Sequence, residues 1–344
     1  MEQWLHSIFA ELHWSLLAAV IAGALAVLGR SADWLVDEAV ELSERLRVPK
    51  TVVGATIVSL GTTTPEAAVS VLAAINGVPG LALGNAVGSI ICDTGLILGT
   101  ACLLAPLPLH RSIVNRQGWI QVAAGALLVL FSWPWGANPL AVGGRLPQGV
   151  GFLFLAALAA YMVISVRWAR ADREGYLEEL HSHPTGDPPW LIVAKLAAAV
   201  GLVVISAQVL IPAVTEAAMR MDIPESIIAA TLVAFGTSLP ELVTAVTAAR
   251  RGHGELAVGN VIGADILNVL FVAGAAAAVT PAGLFADPHF FRILYPAMIF
   301  ILVVFRVGVV FSGQALRRPF GYVLLIAYGL YLIASYLDPG TPLD

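Results

Sequence analysis

Charge is scarce in this chain. Asp, Glu, Lys and Arg make up 12% of its 344 residues and apolar residues 58%, whereas roughly a quarter of an ordinary soluble domain is charged. That excludes a soluble enzyme. Basic residues are the rarer sign, 18 Lys and Arg against 23 Asp and Glu for a net charge of -5, and no basic block remains to bind nucleic acid. Only two cysteines occur, Cys92 and Cys102, both in apolar stretches, so cysteine usage marks no redox compartment. The first fifteen residues hold no Lys or Arg. A cleaved secretory signal needs a positive n-region, so the first apolar segment is expected to be retained.

What the chain does have is long apolar runs, at about residues 14–29, 52–76, 81–104, 119–133, 150–167, 190–211, 226–249, 256–279, 290–311 and 319–337. About 20 apolar residues span a bilayer as a helix. The expected fold is therefore an all-α integral membrane protein of about ten transmembrane helices in one membrane domain. The run at 119–133 is short for a span, and that at 52–76 contains Pro65. Residues 31–47 are amphipathic and are expected to lie along the cytoplasmic surface. Trp133, Trp135, Trp168 and Trp190 stand at span ends, as an interfacial aromatic belt would place them. Loops after odd-numbered helices carry Arg30, Arg45, Arg47, Lys50, Arg111, Arg116, Arg167, Arg170, Arg173, Arg250, Arg251, Arg306, Arg317 and Arg318; the opposite side carries Arg145, Arg220 and Arg292. Cytoplasmic loops are the basic ones, which places both termini outside the cytoplasm of a multi-pass cell (inner) membrane protein.

The chain also repeats itself. PKTVVGATIVSLGTTTPE at 49–66 aligns with PESIIAATLVAFGTSLPE at 224–241, and LALGNAVGSIICDTGLILG at 81–99 with LAVGNVIGADILNVLFVAG at 256–274, both at an offset of 175 without a gap. Two five-helix halves are expected, 1–168 and 190–344, joined by a cytoplasmic loop at 169–189. An odd number of spans per copy turns the second copy upside down. Inverted repeats of this kind build secondary transporters, whose sites lie at the repeat interface near the bilayer midplane.

Glu66 and Glu241 occupy equivalent mid-span positions, where ionisable groups are costly and usually functional. Each follows a proline, Pro65 or Pro240, which frees the carbonyl four residues back, at Gly61 or Gly236. Thr62, Thr63 and Thr64 in one copy, and Thr237 and Ser238 in the other, add oxygen to the same turn. Oxygen-only ligands suit hard cations, and no His or Cys cluster favours zinc or copper. The second motif adds Asp93 and Asp265 with Asn85, Asn260 and Asn268. Ser89 lies one helical turn before Asp93, putting hydroxyl and carboxylate on one face. The spacing of Gly84 to Gly88 and of Gly259 to Gly263 lets a neighbouring helix approach closely. His181, His183 and Asp187 fall in a polar loop and read as solvated. Lys195 reads as an interfacial side chain reaching out of its helix.

GTTTPEAAVS and FGTSLPELVTAV, each followed by a GN-x-x-G segment, resemble the two alpha-repeats of the calcium/cation antiporter superfamily, prokaryotic sodium/calcium exchanger type. The likeness is strong at 49–99 and 224–274. It implies ten helices in two inverted halves exchanging sodium for calcium by alternating access, with no cofactor. Carried over by position, Glu66 and Glu241 resemble shared calcium and sodium ligands, Thr62 and Thr237 carbonyl donors to calcium, and Thr63, Ser238 and Ser89 sodium-site hydroxyls. The chain departs from the family pattern at Asp93 and Asn268, where the family has Asn first and Asp second, and at Ala264, where Ser is usual. Asp265 and Ile90 stand where Asn is common. The exchanger expectation therefore stands beside exchange of calcium or another divalent ion coupled to protons or potassium, and beside a cation channel. A membrane-embedded enzyme is not expected, because the spans hold no nucleophile with a His base.

Overall fold

The computed structural model describes residues 8–171, 187–221 and 236–337. In chain order the helices are α1 (Trp14–Leu46), α2 (Lys50–Thr62), α3 (Thr64–Ile75), α4 (Pro79–Leu104), α5 (Arg111–Ser132), α6 (Pro139–Val142), α7 (Gln148–Ala171), α8 (Pro189–Arg220), α9 (Leu239–Arg250), α10 (Gly254–Ala278), α11 (Phe290–Phe311) and α12 (Arg318–Leu337). Among the described residues eight helices are long and apolar enough to cross a membrane, and α2 with α3 forms a bent pair that makes a ninth. The expected span at 226–249 lies partly outside the described residues; α9 is the part within them.

Small side chains decide which helices go inside. In α4 and α10, rich in Gly and Ala, 72% and 89% of the most apolar stretch is buried, against 22% in α7 and 17% in α12. These two form the centre. A Cβ on Gly259 would stand 2.2 Å from the Thr51 carbonyl oxygen, and one on Gly263 2.5 Å from Ala55. Glycine thus lets α2 lie backbone to backbone against α10, the close approach that small-residue spacing permits in membranes. Both central helices widen by a π-type turn, at Cys92–Ile97 in α4 and Asn268–Ala273 in α10. Such turns recur at functional sites. Helices α1 and α8, α3 and α9, and α4 and α10 begin 175 residues apart.

Short strands clip the connections together. β1 (Leu107–Pro108), after α4, pairs antiparallel with β4 (Ala315–Leu316), after α11. β2 (Gly144–Leu146), before α7, pairs with β3 (Leu284–Ala286), after α10.

Three expectations change. Residues 31–47 do not form a separate surface helix, because α1 runs unbroken for 33 residues. Its Ala32, Leu35, Val36, Ala39 and Leu42 are buried, and α1 packs along α8 and against α9, so tertiary contact claims the apolar face that a membrane surface would have taken. The short run at 119–133 belongs to a full 22-residue helix beginning at Arg111, whose polar first turns bury Gln117 and Gln121. Arg306 is not a loop residue. It lies buried within α11, donates to the Val114 carbonyl at 3.2 Å and to Asn115 Oδ1 at 3.1 Å, and stands 4.9 Å from the centre of the Trp119 ring.

Candidate functional site

The break between α2 and α3 builds one side of the site. The two segments meet at 43°, with Thr63 between them and Pro65 opening the second. Proline has no N–H to give the Gly61 carbonyl, and a fresh helix starts there with Glu66 in its first turn. In the other copy a helix starts at the equivalent place: Ser238 precedes α9, Pro240 opens it, and Glu241 lies in its first turn. Helix N-termini carry partial positive charge that favours carboxylates. Both glutamates are 1% exposed.

Several contacts cross between the copies. Thr63 Oγ1 donates to Glu241 Oε1 at 3.2 Å. Asn268 Nδ2 donates to Asp93 Oδ2 at 3.3 Å, so two of the positions that differ from the expected family pattern face each other. Thr237 Oγ1 donates to Asn85 Oδ1 at 3.3 Å, while Asn85 Nδ2 reaches Ser70 Oγ at 3.0 Å and the Glu66 carbonyl at 3.4 Å. Thr62 Oγ1 is turned back on its own helix, toward the Val58 and Ser59 carbonyls at 3.2 and 3.4 Å. Ser89 is buried one turn before Asp93.

The site has more acceptors than donors. Both carboxylate oxygens of Glu66, Asp93 Oδ1, Glu241 Oε2, Asn268 Oδ1 and Ser238 Oγ are buried without a partner. Glu66 feels the charge of Glu241 and Asp93, and Asp93 that of Glu241 and Asp265. Among the described residues the ion pairs made by Lys195, Arg220 and Arg251 engage none of these carboxylates. Buried carboxylates without basic partners need cations or protons. No three His, Cys, Asp or Glu side chains among the described residues are gathered tightly enough to hold a metal ion by themselves, so any cation here would draw on hydroxyl, amide and carbonyl oxygen as well.

Asp265 stands apart from this centre. Its Oδ2 accepts from Thr94 Oγ1 and from Gln121 Nε2, the latter at 2.5 Å. Sequence reasoning missed Thr94 and Gln121. The available signal was the pair Gln117 and Gln121, one turn apart at the edge of an apolar run. His181 and His183 lie outside the described residues. Lys195 is half-exposed and pairs with Asp187 at 2.5 Å and with Glu38 at 4.0 Å.

A family model described as sodium/calcium exchanger protein matches residues 16–167 and 191–337. The chain belongs to the sodium/calcium exchanger family. It is 34% identical to inner membrane protein YrbG of Escherichia coli over 300 residues, covering 84% of this chain and 86% of that protein. It is 28% identical over 344 residues to sodium/calcium exchanger MaX1 of Methanosarcina acetivorans, covering 91% and 96%. The solved sodium-calcium exchanger NCX_Mj superposes with a TM-score of 0.77 at 23% identity, covering 94% of this chain and all of that one, which shows a shared fold. The matched stretches leave out residues 168–190, the polar connection between the two halves. As an exchanger-family protein the chain is a multi-pass membrane cation/calcium antiporter, and its family is one of transporters rather than enzymes.

Proposed function

We propose that the chain exchanges sodium for calcium by alternating access, through one site formed by Glu66, Asp93 and Glu241 with Asn268, Thr62, Thr63, Thr237, Ser238 and Ser89. The observation that carries this reading is the set of buried, unpartnered carboxylate oxygens where α2 breaks into α3 and where α9 begins. Glu66 and Glu241 serve both ions. Three carboxylates cannot hold a calcium ion and several sodium ions together, and that competition couples the fluxes. The ions are substrates, and no cofactor is proposed.

The proposed architecture is ten spans in two inverted halves, 1–168 and 190–344, with 169–189 between them on the cytoplasmic side and both termini outside. The strand pairs support it. In a ten-span inverted arrangement the connections after the third and ninth spans share one side, as β1 and β4 do, and those after the fourth and eighth share the other, as β2 and β3 do. An asymmetry between copies supports alternating access. Asn85 bonds Thr237 across the copies, whereas both side-chain atoms of its counterpart Asn260 are buried without a partner while Thr62, the counterpart of Thr237, bonds its own helix. A molecule that opens to one side at a time holds its two copies in different conformations.

The test is calcium uptake into proteoliposomes with the opposing gradient set in turn to sodium, potassium or protons. Uptake driven by the sodium gradient alone is expected. Uptake that follows only potassium or protons overturns sodium coupling, and uptake needing no counter-ion gradient overturns exchange.

A further inference from the structure

Where α4, α5 and α10 meet lies a second buried polar cluster. Asp265 is 2% exposed, Gln121 1% and Thr94 fully buried. Thr94 Oγ1 and Gln121 Nε2 both bond Asp265 Oδ2, and Gln121 Nε2 also reaches Thr94 Oγ1 at 3.3 Å. The other oxygen of each longer side chain, Asp265 Oδ1 and Gln121 Oε1, is buried with no partner; so is Gln117 Oε1, one turn earlier on α5. Buried polar atoms are ordinarily paired. An unpaired carboxylate oxygen and an unpaired amide oxygen leave the cluster with an excess of acceptors, and among the described residues no basic side chain bonds Asp265.

We propose that Asp265, Thr94 and Gln121 form a second cation subsite, for an alkali metal ion, separate from the Glu66–Asp93–Glu241 centre. The ligand chemistry sets the class of ion. Carboxylate, amide and hydroxyl oxygens are hard ligands, which excludes soft metals. One carboxylate balances one charge, and a divalent ion held by it alone would carry an uncompensated charge into an apolar interior. The subsite also bears on coupling. Position 264 carries Ala, where the equivalent position of the other copy carries Ser89, so the hydroxyl set of the centre is smaller in the second half. An alkali ion at Asp265, close enough to influence Asp93, would lower the repulsion among the carboxylates without competing for the calcium position. The inference rests on the exchanger reading only for the ion's role in transport; the binding itself is tested apart from flux.

The experiment uses the full-length double variant Glu66→Gln with Glu241→Gln, purified in detergent. Its melting temperature is titrated with sodium chloride, potassium chloride or choline chloride. A saturable rise with sodium or potassium beyond that with choline is expected, and the ion of higher apparent affinity identifies the occupant. Adding Asp265→Asn, which preserves shape and leaves pairing with Gln121 possible, should abolish the saturable rise. Adding Thr94→Val should weaken apparent affinity about tenfold, as expected for losing one hydrogen-bonding ligand to a charged group; this variant carries the test should Asp265→Asn fail to fold. A rise equal to that with choline, or a saturable rise untouched by Asp265→Asn and Thr94→Val, overturns the subsite. Wild-type calcium flux is measured in parallel. Its absence counts against the exchanger reading and leaves the binding result standing.

Discussion

Glu66 and Glu241 carry the largest claims for single side chains. Replacing either by Gln keeps its shape and removes its charge, so each variant should fold yet lose calcium transport. Flux in proteoliposomes, with a size-exclusion profile as folding control, checks this; wild-type flux in either variant removes the shared-ligand assignment. Asp93 and Asn268 give a finer test, because they bond each other at 3.3 Å. Asp93→Asn should severely impair flux. Restoring a carboxylate across the pair with Asn268→Asp should recover part of it and shift apparent affinity for the monovalent ion. A charge at about 4 Å is worth several kcal/mol at the effective dielectric near a protein surface, so losing it should matter more than moving it. These residues were legible because charge in an apolar run stands out, and a repeated position stands out twice. Thr94 and Gln121 were not, because neutral polar residues are common in membrane helices and only the fold brings them to Asp265.

Elements show where periodicity misleads. An amphipathic stretch at 31–47 fits a membrane surface or a protein neighbour equally well in sequence, and only the packing of α1 on α8 distinguishes them. The break at Thr63 was foreshadowed by Pro65, but the paired π-type turns at Asp93 and Asn268 leave no mark in composition. The glycine spacing was legible, and it yields a prediction: Gly259→Ala must push the α2 backbone away and should cost about 1–3 kcal/mol or more, seen as a lower melting temperature in detergent. Unchanged melting would mean that α2 does not lie where the structure puts it. His253, in the turn before α10, gives a pH test. Lys50 Nζ lies 3.2 Å from its Nδ1, and burial together with the Lys50 charge holds the imidazole below its ordinary range. The unfolded chain takes up this proton near pH ~6.5, while the folded protein resists it until lower pH. Stability should therefore hold above that pH and decline below it as protons favour the unfolded state. His253→Gln should flatten the decline in a melting-temperature profile against pH, and an identical slope in the variant would remove His253 as a cause.

At the scale of the whole molecule the duplication was readable without coordinates, because an offset of 175 recurs at both motifs, and helix starts repeat it. Sidedness rests on basic residues, some of which, Arg306 among them, lie within helices. Cysteines at 106 and 314 should react with an impermeant reagent from the cytoplasm, and one at 137 only from outside; labelling of both sets from one face refutes the inverted arrangement. Native Cys92 and Cys102 are buried. The central claim is that opposed cation gradients compete for one set of carboxylates. The measurement that tests it most directly is calcium entry into proteoliposomes loaded with sodium and diluted into sodium-free medium, repeated with sodium equal on both sides. The account predicts rapid uptake in the first case and far slower uptake in the second, with Glu66→Gln silent in both. Equal uptake with and without the sodium gradient would contradict it.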